Sequence, residues 1–256
     1  MDFGIAGKNA LITGGSRGLG RQSALSLAGE GVNVFICARG GDTVQETVAE
    51  LSALGVKAQG AVADITNAGE TAQAFEGAIN ALGSVDILIN NVGGSLGGAL
   101  EQTTEEQLDE TFRLNLTGAL QLIRLALPSM REQRWGRIVN ITSIYGREHG
   151  GSFGYMTAKA AVIAASKHLA LNVAKDGITV NSVAPGSILF DGGPWDRFQQ
   201  SQSEEVVNAF ISTLPMGKFG WPEPIGDYVA FLASERAGLI TGTSTNVDGG
   251  QSKSLL

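Results

Sequence analysis

A single cysteine, Cys37, leaves no partner for an internal disulfide, and only two histidines, His149 and His168, occur among the 256 residues. Neither stands in the Cys/His spacing of a metal site, so no catalytic metal is expected. Cys37 lies inside the apolar run Val34-Phe35-Ile36-Cys37-Ala38, the setting of a buried structural thiol, and this fits a reducing, cytoplasmic environment. Basic residues are also scarce. Lys plus Arg number 18 against 25 Asp plus Glu, a net charge of -7, which excludes the basic surface of a general nucleic-acid binder. Apolar runs are broken by glycine or charge well before the roughly 20 residues needed to span a bilayer. The first residues, with Asp2 and Lys8, lack the long apolar segment of a signal peptide. What remains is a soluble acidic chain with no call for a membrane, long enough for one well-packed domain.

Glycine is abundant, and its 36 residues fall mostly where an apolar run ends, as expected where strands turn into helices. Seven β-rich runs can be read: Ala10 to Ile12, Val32 to Ala38, Ala58 to Ala63, Val85 to Ile89, Arg137 to Ile141, Ile178 to Val183 and Thr245 to Val247. Between them lie helical stretches over about 18–29, 43–54, 67–82, 104–132, 154–175 and 223–234. Near-continuous apolar strands joined by helices predict an α/β fold with a parallel sheet covered on both faces. Such sheets bind ligands at the carboxyl ends of their strands. The stretch Ser187 to Thr213 breaks the rhythm with Phe190, Trp195, Phe198 and Phe210, and reads as an aromatic lid loop beside a substrate, with Phe190 and Trp195 as candidate contacts.

Tyr155 and Lys159 are four apart in Tyr155-Met156-Thr157-Ala158-Lys159. On a helix they share a face, and an ammonium beside a phenol should lower a pKa that is ordinarily about 10, making Tyr155 a general acid or base. Near the start, Thr13-Gly14-Gly15-Ser16-Arg17-Gly18-Leu19-Gly20 joins a strand to a helix with the spacing G-x-x-x-G-x-G, which lets backbone approach a pyrophosphate at a helix N-terminus. The second strand ends at Ala38, where NAD-binding proteins usually carry an acid for the ribose. Here Arg39 follows it and Arg17 projects from the turn, so two guanidiniums suit a 2′-phosphate, and NADP(H) is favoured over NAD(H).

With these residues in place, the chain resembles the compact short-chain dehydrogenase/reductase family over residues 6–250, and its 3-oxoacyl carrier-protein reductase members in particular. The resemblance implies a single Rossmann-like, doubly wound parallel sheet of about seven strands spanning residues 1–256, with a substrate-loop insertion at about 187–213. Gly14, Ser16, Arg17, Gly18, Leu19 and Gly20 resemble the cofactor turn, and Asp64-Ile65 the adenine-contacting pair. Asn90-Asn91-Val92-Gly93 resembles the Asn-Asn-Ala-Gly motif, placing Asn91 and Gly93 at the cofactor, and Pro185-Gly186 with Ile188 resembles the nicotinamide-side turn. Asp248-Gly249-Gly250 resembles the family's C-terminal signature. Asn115, Ser143, Tyr155 and Lys159 match the catalytic tetrad. The implied roles are proton transfer by Tyr155, a hydrogen bond from Ser143 to the substrate oxygen, ribose binding and pKa tuning by Lys159, and a water relay at Asn115.

The chain also departs from the family pattern. The spacing from Ser143 to Tyr155 is one residue shorter than the commonest, so the loop from Arg147 to Gly151 must close differently. Phe190 replaces the threonine that contacts the carboxamide, with the Ser187 hydroxyl or Ile188 backbone as substitutes. Asp176 stands where carrier-docking members have a basic residue, and Arg134 is the candidate to serve instead at the neighbouring surface. His149 either hydrogen-bonds the substrate or is an ordinary loop histidine, and His168 is expected to be structural. The expected activity is hydride transfer between NADP(H) and a small-molecule carbonyl or secondary alcohol. Oxidation of a sugar, polyol or other alcohol is the alternative within the class, and a non-catalytic cofactor-binding sensor the alternative outside it. Small residues on the catalytic helix, with Leu116, Leu120, Ile123 and Leu127 on the preceding one, form apolar surface that in part covers the sheet; the resemblance implies that these two helices pair across a two-fold axis in a homotetramer, with a dimer as the nearest alternative.

Overall fold

The computed structural model describes residues 2–255. These form one seven-stranded parallel sheet in the order β3-β2-β1-β4-β5-β6-β7, from β1 (Asn9–Thr13), β2 (Asn33–Ala38), β3 (Ala58–Val62), β4 (Ile87–Asn90), β5 (Gly136–Ile141), β6 (Ile178–Pro185) and β7 (Ser244–Val247). The order reverses direction between β1 and β4, and the crevice at such a point is where doubly wound sheets take ligands.

Strand side chains alternate between faces, and the core divides accordingly. On one face Ala10, Ile12, Val34, Ile36, Ile87, Ile89, Val139 and Ile141 pack under α1 (Gly18–Gly29), α2 (Gly41–Ala53) and the C-terminal helix. On the other, Leu11, Phe35, Leu88, Ile138 and Val180 meet Phe75 of α3 (Ala68–Leu82) and the long helices after β4 and β5. Cys37 is buried, and burial pushes its thiol up to about 12, leaving it unreactive at neutral pH.

Two expectations change. The stretch at 104–132 is helical throughout, as expected, but a π-helical turn at Arg113–Thr117 divides it into α4 (Glu105–Phe112) and α5 (Gly118–Gln133). The insertion at 187–213 is not a loop: it contains α7 (Pro194–Ser201) and α8 (Glu204–Ile211), which follow α6 (Phe153–Val173) and β6 and precede α9 (Glu223–Ala233). Pro194 starts α7, and the Ser203 hydroxyl caps α8 by accepting from the Val206 N–H. The rings of Trp195, Phe198, Phe210 and Phe219 bind the two short helices into one aromatic cluster, with Trp195 stacked on Phe210 at 4.5 Å. Among the described residues no helix is long and apolar enough to cross a membrane, and no cluster of metal ligands occurs.

Candidate active site

The turn after β1 is shaped by contacts that only glycine permits. Gly14 and Gly18 have left-handed backbones, φ 63 and φ 53. A Cβ at Gly20 would strike the Gly14 carbonyl, and one at Gly14 would come within 2.8 Å of Asn91 Nδ2. Asn91 is bound to this turn: its Nδ2 donates to the carbonyls of Thr13 (2.9 Å) and Gly14 (3.2 Å), and its N–H donates to Thr13 Oγ1 at 3.0 Å. The carboxyl ends of β1 and β4 are thereby held at a fixed separation. No side chain caps α1, and its first turn carries no acidic residue, so the N–H groups at Gly18, Leu19 and Gly20 form an open anion cradle next to Ser16. This is the geometry a dinucleotide pyrophosphate requires.

Arg17 and Arg39 are both exposed beside this cradle. Arg39 lies 4.0 Å from Asp64 with 74% of its side chain open, a weak ion pair that leaves most of its donors available. The Asp64 carboxyl is held below its usual range chiefly by the N–H of Thr66, with help from that residue's hydroxyl and from Arg39. Ile65 is buried beneath it.

Three elements carry the tetrad. Ser143 follows β5, and its hydroxyl accepts from the Tyr145 N–H at 3.2 Å. Tyr155 lies in the first turn of α6, where the cap hydroxyl of Ser152 accepts from its N–H at 3.3 Å. Lys159, one turn further, is 3% exposed; its Nζ lies 5.6 Å from the Tyr155 ring centroid and donates to the Ile141 carbonyl at 2.9 Å. Asn115 sits in the π-helical turn, its Nδ2 donating to the carbonyls of Gly94 (2.7 Å) and Thr111 (2.8 Å) and its Oδ1 accepting from the Gly94 N–H at 3.2 Å. Gly93 is the common neighbour: a Cβ there would lie 2.7 Å from Lys159 Nζ and 2.8 Å from Asn115 Oδ1. The widened turn is what lets Asn115 face β4 and the lysine.

Burial changes the expected electrostatics. It pushes the Tyr155 phenol above its ordinary value, outweighing the Ser143 hydroxyl, which acts to lower it. The expectation that the ammonium brings Tyr155 below its usual range is therefore corrected: burial is the largest influence on the phenol. Burial also draws Lys159 down, from 10.5 to about 8. Both shifts disfavour charge, so an approaching ligand and its own charge set the final balance.

The remaining candidates scatter. Phe190 lies on the cofactor turn, its ring 2.5 Å from where a Gly18 Cβ would be, and Trp195 is taken up by the aromatic cluster of α7 and α8. The Ser187 hydroxyl is buried and accepts from Gln251 Nε2 at 2.9 Å, which leaves its own O–H as a donor. The bridge to Gly220 uses the Ser187 carbonyl and the Leu189 N–H, leaving the Ile188 backbone to face the other way, beyond Pro185 and Gly186. His149 and His168 are both exposed; His168 borders an apolar groove between α5 and α6. Asp176 accepts from Arg131 at 3.2 Å and Arg134 donates to the Lys175 carbonyl, so that surface is internally paired. Pattern reading did not single out Ser152, Glu148 or Gln251. A serine three before Tyr155 is a legible cap, but no spacing links Gln251 to Ser187 across 64 residues.

Known proteins agree with this geometry. Residues 8–192 match the short chain dehydrogenase family. The chain is 37% identical over 245 residues to the 3-oxoacyl-[acyl-carrier-protein] reductase FabG of Staphylococcus epidermidis, covering 95% of this chain and 98% of that one. It is 38% identical over 250 residues, 98% of each chain, to the (2S)-[(R)-hydroxy(phenyl)methyl]succinyl-CoA dehydrogenase subunit BbsD of Thauera aromatica. A crystal structure of a variant actinorhodin polyketide ketoreductase with NADPH superposes with a TM-score of 0.89 at 32% identity, over 96% of this chain and 97% of that one. The chain belongs to the short-chain dehydrogenase/reductase family and is an oxidoreductase acting on CH–OH and C=O groups.

Proposed function

We propose that this protein is an NADP(H)-dependent reductase of 3-oxoacyl thioesters. The observation that carries the chemistry is the meeting of Ser143, Tyr155, Lys159 and Asn115 around Gly93. The cofactor choice rests on Ala38, which offers no carboxylate, and on the two exposed guanidiniums of Arg17 and Arg39; the ketoreductase it resembles was crystallised with NADPH. The substrate class rests on the two curated relatives, whose names describe acyl thioesters oxidised or reduced at the β carbon.

The cofactor cradle would hold NADPH, which would supply a hydride for the carbonyl carbon. Tyr155 gives its phenolic proton to the carbonyl oxygen, while Ser143 donates a hydrogen bond to that oxygen and steadies its developing charge. Tyr155 is left as phenolate, which the Lys159 ammonium stabilises, and a proton returns along Lys159 and the Asn115 side. The cradle at Gly18 to Gly20, together with Asn91, Gly93, Gly186 and Ile188, holds the dinucleotide against this group. The α7–α8 pair, within one catalytic domain, serves as the wall over the substrate.

The assay is NADPH oxidation at 340 nm with acetoacetyl-CoA, simple ketones and, in reverse, sugars and polyols with NADP. Preferred reduction of the thioester is expected. Preferred oxidation of a sugar or polyol would replace this reading with an alcohol dehydrogenase, and cofactor binding without turnover would replace it with a sensor. The apolar groove between α5 and α6, lined by Leu120, Ile123, Leu127, Val162 and Leu169, supports a homotetramer in which these helices pair across a two-fold axis.

A further inference from the structure

Tyr145 takes no part in the proton transfer, yet it adjoins Ser143 and lies near Tyr155. It lies in the tight turn Ile144–Gly146 directly after Ser143, and its N–H is the donor to the Ser143 hydroxyl. Two glycines press the following loop onto its ring. A Cβ at Gly150 would collide with ring carbons of Tyr145, and one at Gly151 would lie 3.1 Å from the Tyr145 ring and 3.4 Å from the Tyr155 ring. One glycine thus separates the two phenols, and Tyr145 is close enough to bear on the ionisation of Tyr155.

The loop that holds the ring is clamped at both sides. Arg147 Nη1 donates to the Ser244 carbonyl at 2.6 Å and to Asn246 Oδ1 at 2.8 Å. Glu148 Oε2 accepts from the Ser252 hydroxyl at 3.0 Å and from the N–H groups of Lys253 and Ser254 at 2.7 and 2.9 Å. The C-terminal segment therefore keeps the shortened loop down on Tyr145. The ring is half-buried. Burial, and secondarily the Glu148 carboxylate, hold its phenol above the usual range, so it stays protonated and can donate. Among the described residues its hydroxyl makes no hydrogen bond, and it is not one of the atoms sealed from solvent, so its donor is open to a ligand.

We propose that Tyr145 binds substrate directly, its hydroxyl donating to a second oxygen two carbons from the reacting carbonyl, so that the site selects 1,3-dicarbonyl compounds. This rests on the thioester reading above, in which the thioester carbonyl is that second oxygen. Ser143 and Tyr155 already address the reacting oxygen, so a third fixed donor across one glycine meets the substrate at a neighbouring position. A monoketone offers nothing there and leaves the donor unpaired, and sites built to hydrogen-bond a substrate group discriminate strongly against analogues lacking it.

The test is Tyr145→Phe, which keeps the ring and hence the loop packing. Steady-state rates with acetoacetyl-CoA and with cyclohexanone are compared, with NADPH affinity by fluorescence and the melting temperature as controls. The variant should lose roughly tenfold in kcat/KM for acetoacetyl-CoA while cyclohexanone stays within about twofold and NADPH binding is unchanged. Equal losses on both substrates, or no loss on either, would overturn the role of Tyr145. A parent enzyme that prefers acetoacetyl-CoA while Tyr145→Phe retains that preference refutes only this proposal. A parent with no preference refutes the substrate class and this proposal together.

Discussion

Replacing Lys159 with methionine should abolish turnover and yet make the apo protein more stable. The lysine is 3% exposed, and burial lowers its pKa from 10.5 to about 8. At about 1.4 kcal/mol per unit, holding the ammonium inside the fold costs about 3 kcal/mol below pH 8. Methionine has similar volume and adapts to the same space, but loses the bond from Nζ to the Ile141 carbonyl, which offsets about 1 kcal/mol. The net gain of about 2 kcal/mol corresponds to roughly 4–8 °C in melting temperature for a chain of this size. The sign follows from proton counting. Between about pH 8 and 10.5 the folded chain has released a proton that the unfolded chain still binds, so the parent gains stability as pH rises through that window. The advantage of Lys159→Met is therefore full at pH 7 and closes by about pH 10.5. Thermal unfolding of both proteins at pH 7, 8.5 and 10 measures it. A variant no more stable than the parent at pH 7, or a gap that ignores pH, would refute the reasoning. The outcome bears on catalysis, because a charge the fold resists is kept only where it works on a ligand.

Tyr155→Phe should leave NADPH affinity nearly unchanged and lower turnover by about two to four orders of magnitude, the range for loss of a general acid; activity within a few-fold of the parent would remove Tyr155 from the mechanism. Arg39→Asp should weaken NADPH far more than NADH, because it places a carboxylate where the exposed guanidinium stands; equal kcat/KM for the two cofactors in the parent enzyme would contradict this. Light scattering at micromolar concentration should give about four times 26.5 kDa, whereas a fully active monomer would rule the assembly out.

The layered sheet was legible because its causes are local. Alternating and continuous apolar runs define strands, glycines mark their ends, and the positions of those runs agree with the observed strands to within a residue or two. The cofactor turn was legible for the same reason: Gly14, Gly18 and Gly20 are demanded by backbone geometry within eight residues. The pairing of Tyr155 and Lys159 needed only the helix period. The two helices of the insertion were hidden, although Pro194 and Ser203 are ordinary start signals, because eight-residue helices are marginal alone and these are held by Trp195 meeting Phe210 and Phe219.

What only the tertiary structure decided is how those local pieces act on one another. The break at Asn115 depends on Gly94 offering both a carbonyl and an N–H from 21 residues away, which no helical pattern encodes. The ionisation of Tyr155 and Lys159 depends on how completely the cleft excludes water, so the expected lowering of the phenol's pKa gave way to burial. Tyr145 became a candidate substrate donor only when Gly150 and Gly151 were seen against its ring and the C-terminal residues against Glu148. Backbone conformation and helix or strand period follow from neighbours along the chain and can be read in order. Dielectric surroundings, orphaned hydroxyls and contacts across a hundred residues are set by neighbours in space, and they emerge only when the chain has folded.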